Sequence, residues 1–301
     1  MDPIDGRPTR RLWLAGLGLL PLLQACSPLR LVNATVPDDT HRLLPQQSYG
    51  EHGRQRADVY LPRELPRADG GAVPMVLFFY GGSWQNGRRE DYRFVGEALA
   101  SRGIVTVVAD YRLSPQVQYP AFLEDGALAL RWALERSVGW GADPRRVYLM
   151  GHSAGAYNAA MLALDPRWLG AQGLSPAVLA GWIGLAGPYD FLPIIATGVR
   201  RAFGWPDTPA DSQPLYHARR PGVRNLPHRV LLLAAREDRL VDPQRNTVGL
   251  ARALRQQGLP VQAELLDGVG HATLIGALAP PLRSQAPVLD RLTAFLAAGT
   301  A

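Results

Sequence analysis

Short apolar runs alternate with longer stretches of helical spacing through most of this 301-residue chain. The runs "PMVLFFY" at 74–80 and "IVTVVAD" at 104–110 are almost continuously apolar, as is typical of strands covered on both faces. The alternation then extends to the carboxyl end, with strands expected at 146–151, 179–187, 228–235 and 261–268 and helices at 90–103, 122–137, 154–164, 243–258 and 287–298. This order predicts an α/β domain whose central sheet is mostly parallel, with helices on both faces.

Three segments refine this outline. Residues 27–50 are polar and contain prolines without sustained periodicity, so we expect a tether there and place the folded domain at 51–301. The segment "RADVYLP" at 56–62 reads as an edge strand of the sheet. Residues 188–227 are rich in prolines and aromatic residues, and a long irregular insertion of this kind predicts a small cap over a site.

The amino terminus has the composition of an export signal. Arg7, Arg10 and Arg11 precede an uncharged run at 12–26, which is shorter than a comfortable membrane-spanning helix. The residues "LLQAC", ending at Cys26, resemble a bacterial lipoprotein signal, and "TRRLWL" resembles a twin-arginine signal. We therefore expect a signal peptide at 1–26, lipidation of Cys26 and an exported, membrane-anchored lipoprotein of the bacterial cell envelope, periplasm-facing or in the outer membrane. A soluble periplasmic or secreted protein, with Cys26 an incidental thiol, is the alternative.

Composition and charge exclude several other function classes. The net charge is +6, but the basic residues are all arginines and form no run with interleaved aromatics, so we predict no nucleic-acid partner. The histidines and the single cysteine lack metal-ligand spacing, and no glycine-rich phosphate loop is present, so we predict no metal and no cofactor. One cysteine also excludes an internal disulfide. The oligomeric state stays open.

A Gly-x-Ser-x-Gly pentapeptide at 151–155 stands directly between a predicted strand and a predicted helix. A serine hydroxyl becomes a useful nucleophile only with a base in hydrogen-bond reach and with donors aimed at the developing oxyanion. A sharp strand-to-helix turn exposes Ser153 to both, provided that Gly151 and Gly155 keep the flanking positions small. Ala154 supplies a backbone N–H at the first turn of the helix, where an anion is favoured. The pattern predicts a nucleophile elbow.

A second glycine-bearing turn, in "FFYGGSWQNGRR", follows the predicted strand at 74–80. Gly81 allows the chain to fold back, so that the backbone N–H groups of Gly82 and Ser83 point toward the elbow. We therefore predict an oxyanion hole built from Gly82, Ser83 and Ala154.

The base and its orienting acid are expected after later strands. His271, in "DGVGHATL", follows the last predicted strand, whereas His152 adjoins the serine and is expected to pack structurally. For the acid, Asp238 has the best position in the turn after the strand at 228–235, and Asp242 is the better placed to cap the next helix. The order Ser153, Asp238, His271 is that of α/β-hydrolases.

From about Asp58 onward the chain resembles α/β-hydrolases, and within them the esterase and lipase branch of carboxylesterases, hormone-sensitive-lipase-like enzymes, feruloyl-esterase-like proteins and kynurenine formamidases. The resemblance rests on "YGGSW", "DYRLSP", "YPAFLEDGALALRW", "GADPRRVYLMGHSAGA", "REDRLVDP" and "GVGH". One position departs from the family: Tyr80 stands where the glycine loop usually begins with a histidine that braces it. We expect this difference to alter loop geometry rather than to remove activity.

Further residues have structural and functional interpretations. Asp110, Arg112 and Asp125 match family positions, and we expect structural ion pairs there. Four aromatic residues have two equal alternatives, to line a pocket for an acyl or aryl group or to pack in the core: Trp84, Tyr157, Tyr189 and Phe191.

The resemblance implies a serine esterase that cleaves a small-molecule carboxylic ester through a Ser-His-Asp triad and an acyl-enzyme. A formamidase or an exopeptidase would use the same groups on another bond. A non-catalytic binding protein of the same fold is the alternative from another class.

Overall fold

A computed structural model describes residues 28–64, 72–220 and 229–298. The expected signal peptide, Cys26 and the last part of the expected cap lie outside these described residues. Within them, no helix combines the length and the apolar character that a membrane crossing requires.

An eight-stranded sheet organises the described residues, in the order β1-β2-β4-β3-β5-β6-β7-β8. Its strands are β1 His41–Ser48, β2 Arg56–Pro62, β3 Val73–Phe79, β4 Val105–Ala109, β5 Ala142–His152, β6 Gly181–Leu185, β7 Arg229–Ala235 and β8 Val261–Leu266. Strand β2 pairs antiparallel with both β1 and β4, and every other pair is parallel. The expected mostly parallel sheet is confirmed.

Helices follow most strands of this sheet. They are α1 Pro28–Asn33, α2 Arg93–Ala100, α3 Ala121–Ser137, α4 Ala154–Leu164, α5 Pro166–Gly170, α6 Thr197–Ala202, α7 Pro214–Ala218, α8 Gly249–Gln256, α9 His271–Gly276 and α10 Val288–Ala297. Strands β3, β4 and β6 are buried along their whole length, which requires cover on both faces of the sheet. Helix α4 is buried at every position, because its many alanines let it pack closely on β3, β5 and β6.

Two expectations for the amino-terminal part are wrong. Residues 41–48 are not a tether but form β1, so the folded unit begins before residue 51. Consequently β2 lies between β1 and β4, and β1 is the edge strand. The register of β1 shifts between Leu44 and Gln47, around Pro45, and a bulge with proline is tolerated at a sheet edge. This irregularity hides the period of two that identifies a strand.

Four connections leave the carboxyl ends of parallel strands and carry the residues of interest. The glycine turn follows β3, the elbow follows β5, the acidic turn follows β7, and the His271 turn follows β8. Between β6 and β7, the described residues of the insertion contain the short helices α6 and α7 and a 3₁₀ turn at Ala210–Ser212. Since the carboxyl ends of parallel strands share one edge of the sheet, these segments converge there.

Candidate active site

The elbow holds Ser153 in a strained backbone conformation. Ser153 has φ 54° and ψ −122° and stands immediately before α4, and its N–H donates to the carbonyl of Leu185 at 2.8 Å. A Cβ added at Gly155 would collide with the carbonyl oxygen of Phe79, and one added at Gly151 would collide with that of Gly155. A larger residue at Gly155 would push α4 away from the end of β3, and one at Gly151 would push it away from β5. The strain at Ser153 is therefore maintained by close backbone packing around it.

The structure brings Ser153, His271 and Asp238 into one series of hydrogen bonds. The Ser153 Oγ lies 2.9 Å from Nε2 of His271, and Nδ1 of His271 lies 2.6 Å from Oδ2 of Asp238. A carboxylate only accepts, so Nδ1 carries the proton and Nε2 is left to accept from the serine hydroxyl. This is the tautomer that a general base requires.

Asp238 is fixed by its own loop. Its Oδ1 accepts from the N–H groups of Leu240 at 2.8 Å and Val241 at 3.0 Å. Burial opposes its ionisation, but the hydrogen bond from His271 and these backbone donors outweigh burial and lower the pKa of Asp238 below its ordinary value. Asp242 instead accepts from the N–H groups of Gln244 and Arg245 at 2.8 and 3.2 Å. It therefore caps the π-helical turn Gln244–Val248, which leads into α8.

The glycine turn lines the cavity that contains Ser153. Gly82, Ser83 and Trp84 all have positive φ, at 124°, 53° and 58°. The carbonyl of Gly82 accepts two N–H groups from the end of the turn, both at 3.0 Å. Gly82, Ser83 and Ala154 line the same cavity as Ser153. In the part of the chain that is described, their backbone N–H groups have no hydrogen-bond acceptor, so they are available to an oxyanion.

Tyr80 braces the upstream end of this turn in place of the family's histidine. Its hydroxyl donates to Oδ1 of Asp110 and accepts from Nη2 of Arg54, both at 2.7 Å. The ring stacks between Tyr92 and Tyr111, with centroids 5.4 and 4.9 Å away. Burial raises the pKa of Tyr80 well above its ordinary value, so the phenol stays neutral and can donate.

Trp84 fixes the downstream end through a residue that sequence reasoning missed. Its indole Nε1–H donates to Oδ1 of Asn158 at 3.0 Å, and its carbonyl accepts from the Ser114 N–H at 2.8 Å. Asn158 is fully buried on α4, the helix that begins at the elbow, and its Nδ2 has no partner among the described residues. The signal for Asn158 was an amide side chain within the otherwise apolar run "AGAYNAAMLAL", because a buried amide normally has a hydrogen-bond partner.

His152 contacts the main chain of His271. It is buried, and burial lowers its pKa to about 3, with the nearby His271 ring acting in the same direction. The neutral ring lies 3.0 Å from the carbonyl oxygen of His271 through Nε2, which must therefore be the donor. His152 thus holds the backbone of His271, in agreement with the expected structural role.

A cavity of about 600 Å³ opens at the carboxyl edge of the sheet and contains Ser153 and His271. Trp84 and Phe191 line it, but Tyr157 and Tyr189 do not, which corrects the pocket interpretation for these two. The Tyr157 hydroxyl donates to the Ser212 carbonyl at 2.7 Å, so it serves to hold the insertion. Tyr189 is fully buried against Trp182.

The other expected ion pairs are structural. Arg112 contacts Asp125 at 2.9 Å, and Arg89 contacts Asp110 at 2.6 Å. None of these side chains lines the cavity. Among the described residues, no group of three or more histidine, cysteine, aspartate or glutamate side chains could hold a metal ion.

Sequence comparisons place this chain beside esterases and formamidases. The family model described as BD-FAE matches residues 57–172. A probable isoprenylcysteine alpha-carbonyl methylesterase of Oryza sativa subsp. japonica is 30% identical over 78% of this chain and 58% of that protein. A kynurenine formamidase of Danio rerio is 26% identical over 76% of this chain and 75% of that protein. The chain spans 31–58% of the length of the plant methylesterases that it matches.

Solved structures share the fold over most of the chain. A hyperthermophilic esterase from the archaeon Pyrobaculum calidifontis has a TM-score of 0.71 at 23% identity, with 89% of each chain covered. A truncated carbohydrate esterase from gut microbiota has a TM-score of 0.70 at 17% identity, covering 87% of this chain and 97% of that one. At these identities the likeness shows a common fold.

Proposed function

We propose, from the premise that this chain belongs to the α/β-hydrolase superfamily, that it is a serine hydrolase which cleaves carboxylic esters. The observation that carries the proposal is the continuous series from Ser153 Oγ through His271 to Asp238, with contacts of 2.9 and 2.6 Å. Ser153 and His271 line the same cavity as Gly82, Ser83 and Ala154.

In the first half of the reaction, Ser153 attacks the ester carbonyl while Nε2 of His271 takes the hydroxyl proton. Asp238 stabilises the resulting imidazolium and keeps its orientation. The N–H groups of Ala154, Gly82 and Ser83 stabilise the oxyanion of the tetrahedral intermediate. His271 then gives its proton to the leaving alcohol, which leaves an acyl group on Ser153.

Water completes the reaction. His271 takes a proton from a water molecule, which attacks the acyl carbonyl, and the same donors stabilise the second tetrahedral intermediate. Its collapse returns the proton to Ser153 and releases the carboxylic acid. This chemistry uses only side chains and backbone groups of the chain.

The direct test is hydrolysis of p-nitrophenyl butyrate by the wild type and by Ser153→Ala. We expect kcat/KM to fall by at least about 10³-fold in the variant, because the nucleophile is lost. Ser83→Ala is the matched control, since the proposed role of Ser83 uses its backbone N–H, and it should retain activity within about threefold. An equally active Ser153→Ala protein would refute the mechanism.

A formamidase is the second candidate, because the Danio rerio relative aligns with most of both chains. The same groups would attack a formyl carbonyl and protonate a leaving amine. Parallel assays of N-formyl-kynurenine and p-nitrophenyl formate separate the candidates. A kcat/KM for the amide comparable with that for the ester would favour the formamidase. An exopeptidase has less support, since Asp190 and Asp242, the acidic side chains that line the cavity, pair with Arg245 and cap a helix.

For localisation, we propose export and lipidation at Cys26, on the strength of the signal-like segment at 1–26. Labelled palmitate should enter the wild type and not Cys26→Ser when each is expressed in a bacterial host. An unlabelled wild type recovered from the periplasm would favour the soluble alternative.

A further inference from the structure

Two exposed apolar side chains stand at the opening of the active-site cavity. Ile195 and Leu240 are 83% and 78% exposed, which makes them the most exposed large hydrophobic residues among the described part of the chain. Both line the cavity that contains Ser153. Scattered apolar side chains on a surface need no explanation, but apolar residues that continue the wall of a binding cavity mark a surface that a ligand covers.

The backbones that carry these side chains are held by the rest of the site. The N–H of Leu240 donates to Oδ1 of Asp238 at 2.8 Å, so Leu240 is fixed to the acid of the triad. Ile195 follows Ile194, which is only 2% exposed and anchors this part of the insertion.

Arg245 ties the two segments together. It contacts Asp190 at 3.1 Å and donates to the carbonyl of Leu192 at 2.6 Å, which joins the start of the insertion to the segment after β7. We call Ile195 and Leu240 the apolar rim. Because its backbone is already fixed, a ligand that covers the rim pays little to order it.

The rim shares its cavity with less exposed apolar side chains and with Ser153. Trp84 is buried, Phe191 and Val241 are half-buried, and all three line the cavity, so the rim lies where its apolar wall reaches solvent. A short acyl group on Ser153 would leave the rim in water, whereas a longer aliphatic chain would cover it. Resting on the proposed esterase function, we infer that this site is built for esters that carry an extended apolar chain, whose far end packs on Ile195 and Leu240.

The inference predicts that kcat/KM depends on the length of the apolar chain of the ester, and that the rim side chains cause part of this dependence. Each methylene group that the wall and the rim cover should raise kcat/KM about fourfold, until the chain extends past the rim. Ile195→Ser and Leu240→Ser should each lower kcat/KM for long-chain esters about fivefold, and the double variant should lower it about twentyfold. Neither side chain is buried, so the variants should fold as the wild type does.

The experiment measures kcat/KM for the full chain on p-nitrophenyl esters from acetate to decanoate, each below the concentration at which it forms micelles. A second series, of alkyl acetates from methyl to octyl, places the chain on the alcohol instead of the acid. Val138→Ser is the matched control, because Val138 is 71% exposed and does not line the cavity. A loss confined to one series assigns the rim to the acyl or to the alcohol side.

The inference predicts unchanged acetate hydrolysis in both rim variants, a selective loss on long chains, and wild-type behaviour of Val138→Ser. Superimposable chain-length profiles of wild type and rim variants would overturn it. So would a loss that is equal for short and long chains. A wild type inactive on every ester, acetate included, would instead contradict the proposed function.

Discussion

Two turns leave the adjacent strands β5 and β3 and lie beside each other in the cavity, where a Cβ added at Gly81 would meet Cβ of Ser153, but different contacts hold them. The elbow is held by backbone contacts, because Gly151 lets the start of α4 approach β5 and Gly155 lets it approach the end of β3. The glycine turn is held by side chains, with Tyr80 bonded to Asp110 at one end and Trp84 bonded to Asn158 at the other. The position of Ser153 thus depends on flanking residues that have no side chain, and the proposed oxyanion donors of the glycine turn depend on buried polar contacts.

The largest effect should come from adding volume at the elbow. In Gly155→Ala the new methyl group would collide with the backbone of Phe79, which cannot rotate away. We expect a loss of about 3 kcal/mol or more in the free energy of unfolding, with activity at background, measured by urea unfolding and ester hydrolysis. Gly170→Ala is the control, because a Cβ there meets nothing within 4 Å. A stable and active Gly155→Ala protein would remove the close-packing explanation.

Cutting the downstream brace should reduce turnover without unfolding the protein. Asn158→Leu replaces a half-satisfied buried amide by an apolar group of similar size but leaves the Trp84 N–H without its acceptor, so stability should fall by about 1 to 3 kcal/mol. We expect kcat to fall about tenfold with KM within about twofold, because misplaced donors weaken only transition-state binding.

The partner variant Trp84→Phe lacks the indole N–H, and a double-mutant cycle tests whether the two residues act through one contact. The double variant should lose little more kcat than either single variant. Fully additive losses would show that Asn158 does not act through Trp84.

His152, in the elbow, should make the wild type less stable in acid than the variant His152→Gln. The pKa of His152 is about 3 in the folded protein and about 6.5 in an unfolded chain. The unfolded chain therefore binds an extra proton between these values, so the wild type loses stability as the pH falls below about 6.5. His152→Gln does not titrate and retains a donor for the carbonyl of His271.

Between pH 7 and pH 4.5, urea unfolding should show that His152→Gln loses about 2 to 3 kcal/mol less stability than the wild type. Parallel losses in the two proteins would mean that His152 is accessible to protons in the folded state.

The smallest effect is expected at the upstream brace. Tyr80→Phe keeps the stacking on Tyr92 and Tyr111 but removes the hydrogen bond donated to Asp110 and the one accepted from Arg54. Asp110 still accepts from the N–H of Arg89 at 2.9 Å, and Arg54 still donates to the carbonyl of Gly87 at 2.8 Å. A loss of about 1 kcal/mol in stability and about twofold in kcat should follow, by thermal unfolding and steady-state kinetics. Tyr148→Phe is the control, since that buried hydroxyl has no partner among the described residues. Equal losses of stability and kcat in Tyr80→Phe and Tyr148→Phe would show that the Tyr80 hydroxyl does not brace the turn.

The same contrast explains what the sequence could and could not predict. The elbow was predictable, because a pentapeptide between an apolar run and an alanine-rich helix specifies its turn locally. Asp238 and His271 were predictable from their places after strands, given the chain order of the resemblance. Tyr157 stayed open between pocket and core because α4 is buried at every position and offers no polar face to orient it. The bond from Trp84 to Asn158 joins residues 74 positions apart, and no local pattern encodes it.

Among the described strands, the prediction found β2 to β8 and missed β1, although β8 is also half exposed. Strands β3 and β4 are continuous apolar runs, whereas β1 combines half-exposed positions with a bulge at Pro45. An edge strand needs fewer apolar residues, so its sequence resembles a linker.

The most direct test of the central claim, that Ser153 is a nucleophile activated by His271, is the rate of fluorophosphonate labelling of the full-length protein, with the labelled residue identified by mass spectrometry. We expect a single label on Ser153 in the wild type, none in Ser153→Ala, and labelling slower by about 10³-fold or more in His271→Ala. A folded wild type that takes up no label, or a His271→Ala protein that labels at the wild-type rate, would contradict it.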